Sequence, residues 1–79
     1  MTPIKMYDVV RVKRLLREPE SYICGSAFSK RPPRVGDQGS VVMLYSMTCT
    51  VEAVEPDGCT LWLSDFAMEE LEHIAEPNP

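Results

Sequence analysis

The stretch RVGDQGSVV, residues 34–42, constrains the fold of this chain more than any other. Gly36 and Gly39 stand three residues apart, directly before an apolar run. Glycine tolerates positive φ, so Gly-Asp-Gln-Gly can turn tightly. The run that follows, GSVVMLYSM, predicts a strand, with Gly39 allowing close backbone approach at its start. A phosphate-binding glycine loop would instead open a helix and carry a lysine or more glycine. The pattern therefore predicts a tight corner that leads into a strand.

Length and composition indicate one small domain over residues 1–79. The chain has 79 residues, of which 44% are hydrophobic, which is ordinary for a globular protein and argues against disorder. No apolar run approaches the roughly 20 residues that a membrane span needs, and MTPIKMYD is not a signal-peptide start. The sequence therefore predicts a soluble, cytoplasmic protein that does not enter a membrane.

The charges divide sharply between the two halves of the chain. Residues 1–35 hold all eight basic residues and three acidic ones, a net charge of +5, whereas residues 36–79 hold nine acidic residues and no base, a net charge of −9. Such a division predicts either a dipolar surface or neutralisation of one half by the other in the fold.

The first strand and a long loop follow from the N-terminal half. YDVVRVKRLLR, residues 7–17, alternates in its middle, with Val10 and Val12 on one face and Arg11 and Lys13 on the other. The region from 18 to 34 contains three prolines and a glycine. Because proline lacks the backbone donor that a strand needs, this region is predicted to be a long loop.

A hairpin is predicted over residues 48–64, TCTVEAVEPDGCTLWLS. Glu-Pro-Asp-Gly fits a type I turn in which Gly58 takes the left-handed conformation of a bulge. This register places four apolar side chains on one face. The pairs are Glu55 with Cys59, Ala53 with Leu61, and Val51 with Leu63.

The same register directs Trp62 outward, beside Glu52. A two-residue turn would instead oppose Ala53 to Trp62 and break the match between apolar faces, so the bulged register is preferred. The bulged register also puts Cys49 about 20 Å from the turn, which excludes a disulfide between Cys49 and Cys59.

The C-terminal segment, SDFAMEELEHIAEPNP, is predicted to form a short 3₁₀ turn and a last strand. Ser64 or Asp65 can cap the turn, and the strand would include Leu71 and Ile74. A helix over the same residues is the alternative. Residues 76–79 are predicted to fray.

Four blocks of this sequence resemble a family of small bacterial proteins of unknown function. The blocks are YDVV at 7–10, VGDQGSVV at 35–42, VEAVEPDG at 51–58 and AMEEL at 67–71. The resemblance implies an all-β fold, a five-stranded SH3-like barrel, and no particular chemistry. The corner is also similar to those of KOW-type barrels and of the nitrile hydratase β-subunit. The long loop and Ala53, which replaces a large aromatic residue, depart from the family pattern.

Catalysis and metal binding find little support. The three cysteines, Cys24, Cys49 and Cys59, form no CxxC pair, and one histidine, His73, cannot complete a zinc site. His73 lies among glutamates, where an exposed or ion-paired imidazole is common. No base accompanies Cys24. We therefore expect a protein that is not an enzyme and that holds no catalytic residue, metal or cofactor.

Protein–protein contact is the predicted role. If Val42 and Leu44 face inward, the strand after the corner presents Val41, Met43 and Tyr45 outward, and the hairpin adds Val54 and Trp62. The predicted contact residues are Met43, Tyr45 and Trp62, with Tyr22 and Phe28 from the long loop. The basic edge, Arg11, Lys13 and Arg31, would steer an acidic partner, such as the acidic half of a second copy. The partner would thus be another protein or a second copy.

Two alternatives stay open at this point. The long loop could fold over the outward apolar face through Tyr22, Ile23 and Phe28 and bury it. The basic edge could instead bind nucleic acid as a KOW-like barrel does, with Tyr22 and Phe28 stacking on bases. Against nucleic acid stand a pI near 4.8 and the acidic second half. The segment KRPPR, residues 30–34, reads as a rigid connector or as a polyproline-type ligand.

Overall fold

The structure, a computed structural model, describes residues 4–18, 22 and 30–75. These residues form a five-stranded antiparallel sheet in the order β4-β3-β2-β1-β5, with a 3₁₀ turn at Met68–Glu70 before the last strand. The all-β class and the 3₁₀ turn are confirmed, and the helical alternative for the C-terminal segment is wrong. The predicted cap at Ser64 or Asp65 is also wrong, because both residues continue the preceding strand and Ala67 precedes the turn. The strands are β1 (Val9–Val12), β2 (Gln38–Leu44), β3 (Thr48–Val54), β4 (Thr60–Ala67) and β5 (Leu71–Ala75).

The glycine corner forms as predicted between β1 and β2. Gly36 has φ +99°, and its N–H donates a 2.8 Å hydrogen bond to the carbonyl of Val12. Gly39 lies against β3, where an added Cβ would stand 2.6 Å from the carbonyl oxygen of Glu52 and 2.7 Å from Val51 Cγ1. Gly36 is therefore needed for its positive φ, and Gly39 is needed because the backbone of β3 leaves no room for a Cβ atom.

A bulge in β2 corrects the predicted faces of this strand. Val41 pairs with Val51, but the next pair is Met43 with Thr50, so one extra residue interrupts the alternation. Val41 is therefore fully buried, and its predicted outward position is wrong. Met43 points outward as predicted, because the bulge restores the expected alternation beyond Val41.

A second bulge corrects the β3–β4 hairpin. The turn forms as predicted, with Gly58 at φ +90° and a 2.8 Å hydrogen bond from Glu55 N–H to the carbonyl of Cys59. Beyond it the register shifts, and Ala53 pairs with Trp62. The predicted pairs of Ala53 with Leu61 and Val51 with Leu63 are wrong.

The shift turns Trp62 inward, so its predicted outward position is also wrong. Its side chain is 1% exposed. Placing Trp62, Ser64 and Phe66 on the inner face buries two large aromatic side chains, a greater apolar surface than the leucines of the predicted register would bury. The bulge makes this burial of Trp62 and Phe66 possible, because the extra residue changes which side chains of β4 face the core.

The core lies on the inner face of the sheet and includes Tyr22 of the long loop. Tyr22 is fully buried and stacks on Phe66 with ring centroids 5.3 Å apart. The described residues of the predicted loop, 18, 22 and 30–34, contain no strand. Lys30 N–H donates to the carbonyl of Leu61 at 2.7 Å, so this segment also contacts the edge strand β4. Ile23, Cys24, Phe28 and residues 76–79 lie outside the described residues.

Over 4–18, 22 and 30–75, no helix combines the length and apolar character that crossing a membrane requires.

Candidate protein-contact face

The outward side chains of β2, β3 and β4 form one continuous surface, called the outer face below. Cross-strand pairing sets its rows: Met43 lies opposite Thr50, and Thr50 lies opposite Asp65. One step further along the hairpin, Tyr45 N–H donates to the carbonyl of Thr48 at 2.8 Å, and Thr48 pairs with Ala67. The register thus brings the predicted contact residues of β2 beside small and polar residues of β3 and β4.

Three large apolar side chains stand exposed at one end of this face. Met43 is 47%, Tyr45 54% and Met47 79% exposed, and we call these three residues the hairpin patch. Met43 and Tyr45 were expected there. Met47 was missed, although a large apolar residue in a short turn between strands was a readable signal.

A shallow groove of about 370 Å³ lies next to the patch. Leu16, 54% exposed, and Arg17 form one wall, and Thr48 and Ala67 belong to both the groove and the outer face. Small side chains between exposed large ones make a surface that another chain can approach closely. Phe66 and the acidic residues Asp65 and Glu70 complete the lining, so the groove extends the apolar hairpin patch with a surface of mixed polarity.

Two carboxylates lie on the outer face. The hydroxyl of Thr60 donates to Glu52 Oε2 at 2.9 Å, and the hydroxyl of Thr50 donates to Asp65 Oδ1. No cationic side chain of the described residues forms an ion pair with Glu52 or Asp65. The hydroxyl donors fix the orientation of these carboxylates, and their charges remain available to a partner.

The predicted basic edge is divided in the structure. Arg11 Nε lies 3.2 Å from Glu72 Oε1, across the β1–β5 pair. Arg31 donates to both carboxylate oxygens of Asp37, at 2.7 and 3.0 Å. Lys13 is exposed and forms no ion pair with any described residue. Of the three basic residues, only Lys13 is uncommitted within the described part of the chain.

Ion pairs join the basic half of the chain to the acidic half. Besides the pairs of Arg11 and Arg31, Lys30 Nζ lies 2.6 Å from Glu55 Oε2. Each of these pairs takes its cation from residues 1–35 and its anion from residues 36–79. The prediction that one half neutralises the other is therefore confirmed for these side chains.

Tyr22 is an anchor within the fold, and its predicted role as a contact residue is wrong. Its hydroxyl accepts from the backbone N–H groups of Leu16 at 2.9 Å and Arg17 at 3.0 Å, and donates to Glu70 Oε2. Glu70, itself buried, also accepts from Ala67 N–H at 2.8 Å. An aromatic residue with this many internal partners cannot leave the core without breaking them. Sequence alone gave no partner for its hydroxyl.

His73 is paired with a buried carboxylate. Its Nε2 lies 3.2 Å from Asp8 Oδ2, and the two side chains are 18% and 2% exposed. Asp8 Oδ2 also accepts from Lys5 N–H at 2.8 Å. The imidazole thus lies beside the carboxylate of Asp8 and not beside the glutamates that surround it in the sequence. No hydrogen bond links this pair to a hydroxyl or thiol among the described residues.

The buried thiol of Cys49 is not activated. Cys49 is buried, which raises its pKa to about 11, the nearby carboxylates of Asp65 and Glu70 adding to the effect. A nucleophilic cysteine needs the opposite shift. In the described ranges no group of three or more His, Cys, Asp or Glu side chains could hold a metal ion.

Comparison of this chain with protein-family models, with curated proteins and with solved structures gave no match.

Proposed function

We propose that this protein is a noncatalytic binding module whose hairpin patch contacts another protein. The observation that carries the proposal is the exposure of Met43, Tyr45 and Met47 on one hairpin beside a shallow groove. Tyrosine and methionine are enriched at protein interfaces because they provide large contact areas, and methionine adapts to irregular surfaces. Covering such a patch with a partner releases the water around it, which lowers the free energy of the complex.

The hairpin that carries the patch is well supported by the fold. β2 pairs with β1 on one side and β3 on the other, and Leu44 and Cys49 point into the core beneath the patch. A surface held on central strands loses little conformational entropy on binding. This support favours a preformed contact site over one that must fold first.

A noncatalytic role agrees with the chemistry of the described side chains. No hydroxyl or thiol of the described residues is hydrogen-bonded to the Asp8–His73 pair. The burial of Cys49 holds that thiol protonated at neutral pH. Nucleophilic and acid–base catalysis need such groups to converge. Their separation supports binding over turnover.

We also propose that the sheet is an SH3-like barrel. β4 ends at Ala67 and β5 begins at Leu71, although these strands lie at opposite edges of the sheet. In a flat sheet four strand spacings would separate the edges by about 19 Å, whereas four residue steps reach about 14 Å at most. The sheet must coil to bring its edges together here. Coiling supports both the barrel and the resemblance to the small bacterial family.

The experiment is a tagged pull-down from lysate of the source cells, with and without nuclease, using the parent chain and two variants. Met43→Ala/Tyr45→Ala removes the patch. Val54→Ala is the matched control, because Val54 is 57% exposed on β3 outside the patch. We expect a nuclease-resistant protein band, or a second copy of the chain, that the patch variant loses and the control retains.

Two outcomes contradict the proposal. Equal recovery by the patch variant and the control would place the contact elsewhere. Nucleic acid that nuclease removes together with the bands would support the nucleic-acid alternative. That alternative has fewer free cations than the sequence suggested, because Arg31 is held in a largely buried ion pair with Asp37.

A further inference from the structure

We infer that the partner of the outer face is a second copy of this chain, which presents the basic side of β1. This inference rests on the proposed function, since it names the partner of the same site. In this assembly, Arg11, Lys13 and Arg14 of one copy face Glu52 and Asp65 of the next, beside the hairpin patch. Contact through two different surfaces makes the assembly head-to-tail.

The acidic side of this contact is defined by the β3–β4 register. Thr50 pairs with Asp65, and Glu52 lies two residues further along β3 on the same face. Diagonal neighbours of this kind are about 7–8 Å apart between backbones. The outer face therefore presents two oriented carboxylates at that spacing, both without an ion-pair partner among the described residues.

The basic side has a matching spacing. Arg11 and Lys13 flank the buried Val12, so they are alternate residues, about 7 Å apart along an extended chain. Arg14 follows and is exposed. Lys13 and Arg14 form no ion pair with the described part of the chain. The Arg11–Glu72 pair is nearly half exposed, which leaves the arginine able to exchange partners.

No ion pair joins these two sets of described residues within one molecule, although Arg17, which follows the basic set, donates from Nη2 to the backbone carbonyl of Asp65 at 2.6 Å. β2 lies between β1 and β3, and β4 lies beyond β3 at the edge of the sheet. Because no ion pair joins the two described sets in one copy, their complementary charges are left to pair between copies. A head-to-tail contact leaves one basic and one acidic surface free at the ends, so assembly continues into a chain or closes into a ring.

The apolar and charged parts of the contact have different effects. Exposed ion pairs contribute little each, so the hairpin patch supplies most of the affinity through burial of Met43 and Tyr45. The charges orient the copies and raise the association rate, and salt weakens their effect. We therefore expect association that is reversible, moderate in affinity and weakened by salt.

The test is sedimentation of the purified full chain over a range of concentrations, at low and high salt. The acidic-face variant is Glu52→Lys/Asp65→Lys. The basic-face variant is Lys13→Glu/Arg14→Glu, which leaves the Arg11–Glu72 pair intact and so protects the fold. Control variants of equal charge change per site are Glu69→Lys and Arg34→Glu, both exposed outside the proposed contact. Thermal melting checks that each variant folds.

We expect the average mass of the parent and of both controls to rise with concentration. Each face variant should lose about tenfold or more in association constant, because like charges then meet across the contact. Mixing the two face variants should restore association only between unlike molecules, because the reversed acidic face of one complements the reversed basic face of the other. This restoration is the result that a merely destabilised variant cannot give.

A parent chain that stays monomeric at every concentration would overturn the inference. Association insensitive to both face variants, or a mixture that fails to assemble, would overturn it as well. The proposed function is tested separately. If the chain is monomeric but the pull-down captures a protein whose binding requires Met43 and Tyr45, the binding-module proposal is retained with a different partner. If neither self-association nor capture occurs, both proposals fall.

Discussion

Trp62 Nε1 donates a 2.9 Å hydrogen bond to Oδ2 of Asp37, which ties the centre of β4 to the glycine corner. The same oxygen accepts from Arg31 and from the backbone N–H of Arg34. One carboxylate thus joins the core, the corner and the segment before it. Burial by itself would raise the pKa of Asp37, but the hydrogen bonds from Arg31, Arg34 and Trp62 outweigh it and lower the pKa below its usual value.

Stability should therefore fall in acid partly through Asp37. Because its folded pKa lies below its unfolded value of about 3.9, its contribution is fully present above that unfolded value and is lost as pH falls through the folded pKa. Asp37→Asn should cost about 1–3 kcal/mol near neutral pH and should flatten the loss of stability below about pH 4. Urea unfolding at several pH values measures both, with Glu69→Gln as an exposed control. An unchanged pH profile would contradict the assignment.

The indole of Trp62, the single tryptophan of the chain, should behave as a core residue. We expect its fluorescence emission to lie at shorter wavelength than that of free tryptophan and to resist quenching by acrylamide. Trp62→Ala should cost about 3–5 kcal/mol, because it removes a large side chain from a packed site. Ready quenching in the folded protein would instead favour the outward position that the sequence suggested.

Replacing Gly39 should be more damaging than replacing Gly36. In Gly39→Ala the new Cβ would meet the Glu52 backbone at 2.6 Å, and backbone cannot move aside as a side chain can. Overpacking of this kind costs about 1–3 kcal/mol. Gly36→Ala has open space and meets only the strain of positive φ, about 1 kcal/mol. Urea midpoints compare the two, and equal or reversed costs would count against the close approach.

The hydroxyl of Tyr22 should matter to stability, whereas that of Tyr45 should not. Tyr22→Phe keeps the ring stacked on Phe66 but leaves buried Glu70 and two backbone N–H groups with one partner fewer, at a cost of about 1–3 kcal/mol. Tyr45→Phe changes an exposed side chain and should stay within about 0.5 kcal/mol. Calorimetric melting of both variants is the measurement. Similar melting temperatures would show that the Tyr22 hydroxyl is not an anchor.

The two described cysteines should differ in reactivity towards a thiol reagent at pH 8. Cys59 is exposed and should react at once. Cys49 is buried with its pKa raised to about 11, so little thiolate forms and the reagent cannot reach it. Counting released chromophore in a Cys24→Ala background, before and after adding denaturant, separates them. Rapid reaction of Cys49 in the folded chain would contradict its burial.

The sequence by itself determined the features that depend on neighbouring residues. Gly36 and Gly58 have the positive φ that their turns require, and Val10 and Val12 alternate inward as the period of a strand demands. Such features could be predicted because the backbone conformation of a few residues is limited by their own sterics.

Part of the candidate site could be predicted in the same way. Met43 and Tyr45 are exposed as expected, since they lie beyond the β2 bulge on the predicted face. Trp62 and Tyr22 could not be placed, because their positions depend on partners far away in sequence: Asp37 for one, Phe66 and Glu70 for the other.

Only the tertiary structure decided the register at the bulges in β2 and before Trp62. An extra residue in one strand reverses which side chains face the core, at little local cost, so local pattern cannot choose between the registers. The choice follows from burying the largest apolar surface while giving each buried polar group a partner. Those gains come from contacts between distant strands, which exist only once the sheet has assembled.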